Sequence, residues 1–359
     1  MIDLSQPLDP ASLQTKIARL WDASAEKILA IDKQIDPSDG APVFTIEGRY
    51  TSRGWTEWTQ GFQFGSAILQ FDATGDERFL DLGRRATLER MAPHVTHFGV
   101  HDHGFNNVST YGNLLRLMTE GRIEDDAWER AFYEMALKAS GAVQAKRWTS
   151  IYGGGGFVYS FNGPHSLFAD TIRSMRSLAV GHLLGHAVSD EHDVRVPLLE
   201  RLIEHARATA RYTVYYGEGR DRYDVRGRVA HESLFNTNDG RYRCPSTQQG
   251  YSPFTTWTRA LAWIMCGYAE ELEFFATLSD NDLEAYGGRP EVETMMLEAA
   301  RAACDFYLEH TPTCGVPYWD TGAPGLVHLG DYLGRPADPF NDHEPVDSSA
   351  AAIAAQGLL

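Results

Sequence analysis

Hydrophobic residues recur at every third or fourth position along most of the chain. Between residues 13 and 32, Ile17, Leu20, Ile28 and Ile31 fall on one face of a helix, which is the spacing of an amphipathic helix. The same periodicity predicts further helices at about residues 59–73, 77–92, 106–119, 126–145, 168–187, 196–215, 254–275, 291–310 and 348–359. The pattern therefore predicts an all-α protein of about ten helices.

The joints between these helices alternate in character. Residues 72–77 form a short polar turn, whereas residues 149–167 are long, aromatic and rich in glycine. Helices that follow long joints carry small and aromatic residues such as Phe62 and Trp257, and their neighbours carry charges such as Arg84. Alternating inner and outer helices predict a closed ring of helical hairpins, an (α/α) barrel, with a pit lined by the long loops.

No stretch of the sequence marks a domain boundary. Residues 322–347 are rich in Gly, Pro, His and Asp, but helices of the same kind flank them, so we interpret them as a loop of one domain spanning residues 1–359. At 359 residues, a division into two ordinary domains stays open as an alternative.

The composition predicts a soluble, cytoplasmic protein. The first 30 residues lack the basic start and apolar run of a secretory signal, and no stretch approaches a membrane span. The four cysteines have no C-x-x-C pair and are expected to be reduced structural thiols: Cys244, Cys266, Cys304 and Cys314.

The charge balance narrows the choice of partners. The chain has 32 basic and 49 acidic residues, a net charge of −17, which argues against nucleic acid and anionic membranes. A small anionic substrate stays compatible, because one arginine or histidine in a pocket acts at contact distance despite a diffuse negative surface.

Two acids stand in matching positions, each just before a predicted helical stretch. Asp102 lies between His101 and His103, and Asp170 follows 68 residues later. If the two carboxyls lie together, burial and the charge of one keep the other protonated, so that it can donate a proton to a substrate. The alternative is that each is a helix N-cap, for which Asp is well suited. We favour the paired acids, because His101 adjoins one of them.

Four histidines crowd within ten residues, at His94, His97, His101 and His103. The His101-x-His103 pair and the loose pair upstream lie outside the predicted helices and so do not match a zinc site with histidines at i, i+4 of one helix; no compact set of carboxylates completes them, and we expect no metal. His101 is expected to hydrogen-bond to Asp102, and His103 to face solvent.

Aromatic residues and an arginine supply the elements of a sugar site. Trp257 and Arg259 fall in the first turn of a predicted inner helix, and Trp55 and Trp58 open another. An arginine binds a carboxylate bidentately and an indole stacks on a sugar face. The alternative is a solvated arginine beside core tryptophans.

The glycine-rich run at residues 153–156 is not a nucleotide-binding motif. It lacks the Lys-Ser/Thr of a P-loop and the spacing of a dinucleotide site. No G-x-S-x-G elbow is present either. We therefore expect no cofactor.

A series of short motifs runs through nearly the whole chain in a specific order and spacing. They are Glu57-Trp58-Thr59-Gln60-Gly61-Phe62, Thr74-Gly75-Asp76, His101-Asp102-His103-Gly104-Phe105, Asp170, His231-Glu232, Thr247-Gln248-Gln249-Gly250-Tyr251-Ser252, Trp257-Thr258-Arg259-Ala260-Leu261-Ala262-Trp263, Gly315-Val316-Pro317-Tyr318-Trp319-Asp320 and Asp347-Ser348-Ser349-Ala350-Ala351-Ala352-Ile353-Ala354-Ala355. In this order they resemble the unsaturated glucuronyl hydrolases, family 88 of the glycoside hydrolases.

The resemblance implies an (α/α)6 barrel that acts on oligosaccharides left by polysaccharide lyases, which end in a 4,5-unsaturated uronic acid. It implies that Asp170 protonates C4 of the vinyl ether and then activates water to attack C5, with Asp102 as the second acid. The partner it implies is a small acidic oligosaccharide, and the oligomeric state stays open. It further implies substrate-binding roles for His101, His231, Gln249, Trp257, Arg259 and Trp58.

The sequence departs from the family pattern in three places. Ala260 and Leu261 replace a Gly and a Gln after Arg259, and residues 159–161 lack a tryptophan. The chain ends within the helix that precedes a last hairpin in the family, so we expect that hairpin to be missing.

Three alternatives to this function stay open. A related family with the same barrel and acids cleaves unsaturated rhamnogalacturonan ends. A sugar epimerase would need paired histidines on inner helices, for which His182 and His186 are the candidates at i, i+4. The third alternative is an inactive, sugar-binding barrel.

Overall fold

The computed structural model describes residue 2 and residues 9–36, 39–52 and 57–359. The α-helices of this part are α1 Pro10–Gln34, α2 Gln60–Thr74, α3 Glu77–Arg90, α4 Ala92–Val95, α5 His103–Asn106, α6 Asn113–Thr119, α7 Ala127–Lys146, α8 Thr171–Ser174, α9 Arg176–Leu183, α10 Leu198–Tyr212, α11 Thr258–Ala276, α12 Asp280–Leu283, α13 Arg289–His310 and α14 Ser348–Leu358. The strands are β1 Pro42–Ile46, β2 Arg49–Ser52, β3 Trp148–Ser150, β4 Gly156–Val158, β5 Ser166–Phe168, β6 Ala187–Ser189, β7 Arg195–Pro197, β8 Glu232–Phe235 and β9 Tyr242–Ser246.

Eight of the predicted helices are present with ends close to those expected, namely α1, α2, α3, α7, α10, α11, α13 and α14. Local signals explain several of these ends. The Asp76 side chain caps α3 by accepting a hydrogen bond from Arg78 N at 3.1 Å, and Gly75 closes α2 in a left-handed conformation at φ 71°. The Asp347 side chain caps α14 through Ala350 N at 2.9 Å.

Two predicted helices are broken into shorter elements. The stretch at 106–119 contains a π-helical segment, Val108–Gly112, between α5 and α6. The stretch at 168–187 begins inside strand β5, runs through α8 and α9, and ends at Gly185, which has φ 73°. Both stretches are helical over most of their length, as predicted, but the π-helical segment and the three-residue strand were not predicted, because they leave the apolar spacing almost unchanged.

Short strands that the periodicity did not predict accompany the helices. The described residues contain three two-stranded sheets and one three-stranded sheet, in the order β5-β8-β9. This sheet is antiparallel, with Phe168 opposite Glu232 in the β5–β8 ladder and Glu232 opposite Ser246 in the β8–β9 ladder. It matters for function because candidate site residues flank its strands.

Backbone contacts divide the described chain into two compact units. The first unit comprises residues 9–144 and 180–186, and the second comprises residue 2, residues 145–179 and residues 187–359. The sequence prediction of one domain stays a prediction. None of the helices in the described residues combines the length and apolar composition that a membrane crossing requires.

The core of the first unit forms where α2 packs against α1 and α3. Phe64, Ile68 and Phe71 of α2 are buried with Phe79 and Leu80 of α3. Burial of such side chains stabilises the unit by about 1.5–3 kcal/mol for each large residue. The burial of these side chains accounts for the apolar residues that the sequence shows along α2.

The central helix of the second unit is α11, which packs against α8, α13 and α14. Two glycines allow the closest approaches. A Cβ at Gly267 would lie 2.6 Å from Ile172 Cγ2, and one at Gly357 would lie 2.6 Å from Cys266 N. As expected, the cysteines form no disulfide, and burial raises the pKa of the Cys304 thiol to about 11.

Candidate active site

Asp170 lies in the second unit, two residues after β5 and directly before α8. It occupies the N-cap position, but its side chain makes no capping hydrogen bond to the helix. Its backbone oxygen instead accepts from Arg173 N at 3.1 Å. The helix-cap alternative therefore does not explain this acid.

The β5–β8 pairing brings His231 beside Asp170. Past the end of the ladder, Ala169 N donates a hydrogen bond to the backbone oxygen of His231 at 2.9 Å. The two sequence-predicted residues thus lie at the same end of neighbouring antiparallel strands. Rigid strand ends hold functional side chains in one orientation more firmly than free loops do.

The His231 ring is fixed in one tautomer by its neighbours. Its Nδ1 accepts from Gln248 N at 3.0 Å and from Gln249 N at 3.3 Å. A backbone N–H only donates, so Nδ1 carries no hydrogen in this arrangement and Nε2 carries it. The ring also contacts Phe168 and Trp257, with centroids 4.5 and 4.8 Å away.

Trp257 and Arg259 form the second pair of the site. Trp257 is buried, and the Arg259 Cζ lies 4.7 Å from the Trp257 ring centroid. The guanidinium also donates from Nη1 to Ser349 Oγ at 3.4 Å, and its Nε lies 3.7 Å from Asp347 Oδ2. The Arg259 side chain keeps 28% of its surface exposed. It is therefore an oriented cation rather than a solvated surface arginine.

Gln249 presents its side chain to solvent while its backbone contacts His231. Within the second unit, direct contacts join Gln249, His231, Trp257 and Arg259, and Asp170 follows Ala169, whose N–H is bonded to His231. An acid, a neutral imidazole and an oriented cation are the groups needed to bind and protonate an anionic substrate.

His101 and Asp102 lie in the first unit and are both buried. His101 Nε2 is 3.8 Å from Asp102 Oδ1, so the two side chains are neighbours, and the hydrogen bond between them stays a prediction. Gln144 Nε2 donates to the backbone oxygen of His101 at 2.9 Å. Asp102 precedes α5 without making a side-chain capping bond to it, so here too the cap alternative does not explain the acid.

A close backbone contact sets the position of α5. Gly61 N donates to Asn106 Oδ1 at 2.9 Å, and a Cβ at Gly61 would lie 2.4 Å from Asn106 Cα. Real Cβ atoms do not come so near another backbone, so only glycine fits. Helix α5, which follows Asp102, is therefore held in close contact with α2.

Two of the four clustered histidines use both ring nitrogens in hydrogen bonds. His94 contacts Gln60 Oε1 at 2.7 Å and accepts from Asn106 Nδ2 at 3.1 Å. His103 contacts Ser140 Oγ at 3.0 Å and the backbone oxygen of His97 at 3.1 Å. Burial lowers the pKa of His94 to about 4. The prediction that His103 faces solvent was wrong, because these polar partners allow it to be buried.

Trp58 lies in a short 3₁₀ turn before α2 and is half-buried. Its ring centroid lies 5.9 Å from Phe62 and 6.1 Å from Phe105. Trp58 is therefore anchored beside α5 and keeps some surface for a ligand. The other predicted platform, Trp55, lies outside the described residues.

Two buried carboxylates in the second unit were quoted in the sequence motifs but given no role. Glu232 Oε1 accepts from Ser166 Oγ at 2.5 Å and from Asn162 Nδ2 at 3.1 Å. Asp320 Oδ2 accepts from Tyr251 N at 2.9 Å. The sequence signal for a role was an acid within an otherwise apolar or aromatic motif. A charge buried in such surroundings requires hydrogen-bond donors as partners.

The histidine pair considered for an epimerase does not share a helical face. His182 lies near the end of α9, which closes at Leu183, and His186 lies beyond it. The i, i+4 spacing in the sequence therefore does not correspond to one helix turn in the structure.

Comparison with known proteins identifies relatives of one kind. The unsaturated glucuronyl hydrolase of Formosa agariphila is 25% identical over 307 residues, which cover 84% of this chain and 62% of the relative. That of Bacillus sp. strain GL1 is 26% identical over 317 residues, covering 87% and 68%. The chain thus spans less than two thirds of the first relative. No family profile matches the chain.

Solved structures show the same fold. The unsaturated glucuronyl hydrolase from Bacillus sp. GL1 matches with a TM-score of 0.64 and 21% identity, covering 94% of this chain and 76% of that one. A Streptococcus agalactiae mutant complexed with dGlcA-GalNAc6S matches with a TM-score of 0.59 and 18% identity, covering 94% and 71%. The predicted resemblance and the (α/α) barrel fold are confirmed.

Proposed function

We propose that this protein, a relative of the unsaturated glucuronyl hydrolases, removes a 4,5-unsaturated uronic acid from the non-reducing end of an oligosaccharide. The proposal rests above all on the contact of the Arg259 guanidinium with the Trp257 ring. This contact orients a partly exposed cation beside Trp257, whose ring contacts His231, and the His231 backbone is bonded to Ala169, the residue before Asp170. Such a cation suits the carboxylate of a uronic acid.

In the proposed reaction, Asp170 starts as a carboxylic acid and transfers its proton to C4 of the vinyl ether. The positive charge that develops at C5 and the ring oxygen is then attacked by water. The Asp170 carboxylate takes a proton from this water, which restores the acid. The hemiketal formed at C5 opens and releases the remaining saccharide with its hydroxyl group. The net change is the addition of one water across the double bond followed by elimination of the saccharide alcohol.

The other site residues are proposed to bind and orient the sugar. Gln249 and Arg259 would recognise the carboxylate and adjacent oxygens. His231 would donate from Nε2, because its Nδ1 already accepts backbone hydrogen bonds. The pairing of Asp102 with Asp170, and the contacts of His101 and Trp58 with the sugar, remain predictions that a substrate complex tests.

The substrate in this proposal is a small acidic fragment produced by a polysaccharide lyase, and the cytoplasm is its proposed site of action. An unsaturated rhamnogalacturonan end is the second candidate. It has the same vinyl ether and carboxylate, so a panel of leaving sugars distinguishes the two.

The decisive experiment follows the ultraviolet absorbance of the 4,5 double bond with lyase-generated disaccharides. Because a positioned general acid contributes about 10²–10⁴-fold to a rate, Asp170→Asn should lower kcat by at least about 100-fold. Asp76→Asn is a matched control, since Asp76 caps α3 and Asn is also a good cap. Near wild-type turnover by Asp170→Asn would exclude the proposed role.

A further inference from the structure

Four consecutive backbone N–H groups, those of residues 248–251, all donate to side-chain acceptors. The hydrogen bonds are Gln248 N and Gln249 N to His231 Nδ1 at 3.0 and 3.3 Å, Gly250 N to Thr247 Oγ1 at 2.8 Å, and Tyr251 N to Asp320 Oδ2 at 2.9 Å. We refer to residues 248–251 as the recognition turn. Its backbone is fixed by His231 at one end and by Asp320 at the other.

Asp320 is suited to this task because its carboxylate is fully buried, with 0% of the residue exposed. While Oδ2 accepts from Tyr251 N, Oδ1 accepts from Gly322 N at 2.9 Å. Burial raises the pKa of this carboxyl, and the two backbone donors oppose that effect by favouring the charged form. Both oxygens are thus committed to N–H groups in an interior with little water.

The Asp320 backbone also ties the turn to the start of α11. Asp320 forms an isolated antiparallel bridge with Trp257, and Thr258 N donates to the backbone oxygen of Trp319 at 3.0 Å. The same residue therefore contacts the recognition turn through its side chain and Trp257 through its main chain.

Close packing leaves the recognition turn little room to shift. A Cβ at Gly250 would lie 2.7 Å from Thr247 Oγ1, 3.1 Å from Asp320 Oδ2 and 3.2 Å from Trp257 Cβ. Yet the side chains on either side, Gln249 and Tyr251, are exposed. The backbone is rigid while these side chains face outward, which is the arrangement of a preorganised binding surface.

We propose that Asp320 is a positioning residue for substrate recognition, which holds the recognition turn so that Gln249 and Tyr251 meet the acidic saccharide. This inference rests on the proposed function. Asp320 itself acts through the turn and touches no substrate. An amide at this position keeps the shape but has one acceptor oxygen for two N–H donors, so one of the two bonds that fix Asp320 between Tyr251 and Gly322 is lost.

Glu344 provides a matched control for a merely structural effect. It is 8% exposed, and its two oxygens accept from Gly325 N at 2.6 Å and Trp319 Nε1 at 2.7 Å. Glu344→Gln therefore removes a buried carboxylate that also accepts two N–H groups but makes none of the hydrogen bonds of the recognition turn.

The test compares Asp320→Asn with Glu344→Gln by steady-state kinetics and by amide hydrogen exchange of the peptide covering residues 247–252. For Asp320→Asn, we expect KM to rise about 10-fold, kcat to change less than about 3-fold, and exchange at the turn to accelerate. Glu344→Gln should change neither KM nor this exchange. Equal effects of both variants, or no effect of Asp320→Asn, would overturn the proposal.

Gly250→Ala provides a second route if Asp320→Asn fails to fold. Its added methyl group displaces the same turn while Asp320 stays intact. We expect the same rise in KM and the same acceleration of exchange. Unchanged values would overturn the proposal. If the wild-type protein hydrates no unsaturated saccharide, the proposed function fails. The exchange experiment still decides independently whether Asp320 holds the turn.

Discussion

The guanidinium of Arg259 lies against the indole of Trp257, with its Cζ 4.7 Å from the ring centroid. An arginine placed in this way keeps its planar face on the aromatic ring and its edges available for a carboxylate. Lysine has the same charge but neither the plane nor the paired donors. Replacing Arg259 by lysine therefore tests whether the shape of the guanidinium matters, because the positive charge is kept.

We expect Arg259→Lys to raise KM for an unsaturated disaccharide by roughly 10-fold or more, since a bidentate charged contact is worth about 1.5–3 kcal/mol. Ser349→Ala is the matched control, because it removes the 3.4 Å hydrogen bond from the same guanidinium, together with the 2.5 Å bond from Ser349 Oγ to Asp347 Oδ1, but leaves the arginine in place. Its KM should stay within about 2-fold of wild type. Equal KM values for Arg259→Lys and the wild type would contradict a carboxylate-binding role.

Asp102 should matter for catalysis and little for folding. We expect Asp102→Ala to lower kcat by about 100-fold without the loss of helix stability that removal of a cap causes, because its side chain makes no capping bond. Asp76→Ala should show the reverse, full activity with a loss of stability, because it removes the side-chain cap of α3. Kinetics and urea unfolding of both variants check the contrast. Comparable unfolding losses would show that Asp102 stabilises the helix after all.

Gly61→Ala should destabilise the first unit, because its new Cβ would lie 2.4 Å from Asn106 Cα. Overpacking of this kind lowers the free energy of unfolding by about 1–3 kcal/mol, and the backbone of Asn106 cannot move far to relieve it. Ser66→Ala on the same helix is the control, as Ser66 is only partly buried. Chemical denaturation measures the difference, and an unchanged free energy of unfolding for Gly61→Ala would contradict the tight contact.

Stability should fall as the pH drops from 6.5 toward 4, because His94 is buried as the neutral ring. Its pKa is lowered from 6.5 to about 4, so the unfolded chain binds a proton that the folded protein excludes within this window. The stabilising contribution is complete above pH 6.5 and is lost progressively below it.

His94→Gln should therefore weaken this pH dependence. Between pH 7.5 and pH 5 we expect the wild type to lose about 2 kcal/mol more of its unfolding free energy than the variant. Urea denaturation at the two pH values gives the comparison. An identical pH dependence of the two proteins would show that His94 is not the group responsible.

The fold was largely predictable because its helices bury one face each. The periodicity located α2 and α11 because their buried side chains follow the helical repeat. Strand β5 has three residues, all buried, too few to show an alternation. It was therefore merged with the helix that follows it.

The site was predictable only where the chemistry was local. Asp102 and Asp170 stood out because an acid before a helix is visible in the sequence. The role of Asp320 was not, because its partner is the backbone N–H of Tyr251, 69 residues away, and every residue except proline carries such a group. Only the folded structure shows which backbone N–H donates to a buried acid such as Asp320.

The saturated backbone of the recognition turn has a consequence for the evolution of substrate range. Because the four amides of residues 248–251 are already bound to His231, Thr247 and Asp320, none is left to recognise features common to all sugars. The exposed side chains of the turn, those of Gln248, Gln249 and Tyr251, are then the groups that can discriminate between ligands. The turn is thus a stable frame in which these side chains can be exchanged while the backbone hydrogen bonds that hold it stay unchanged.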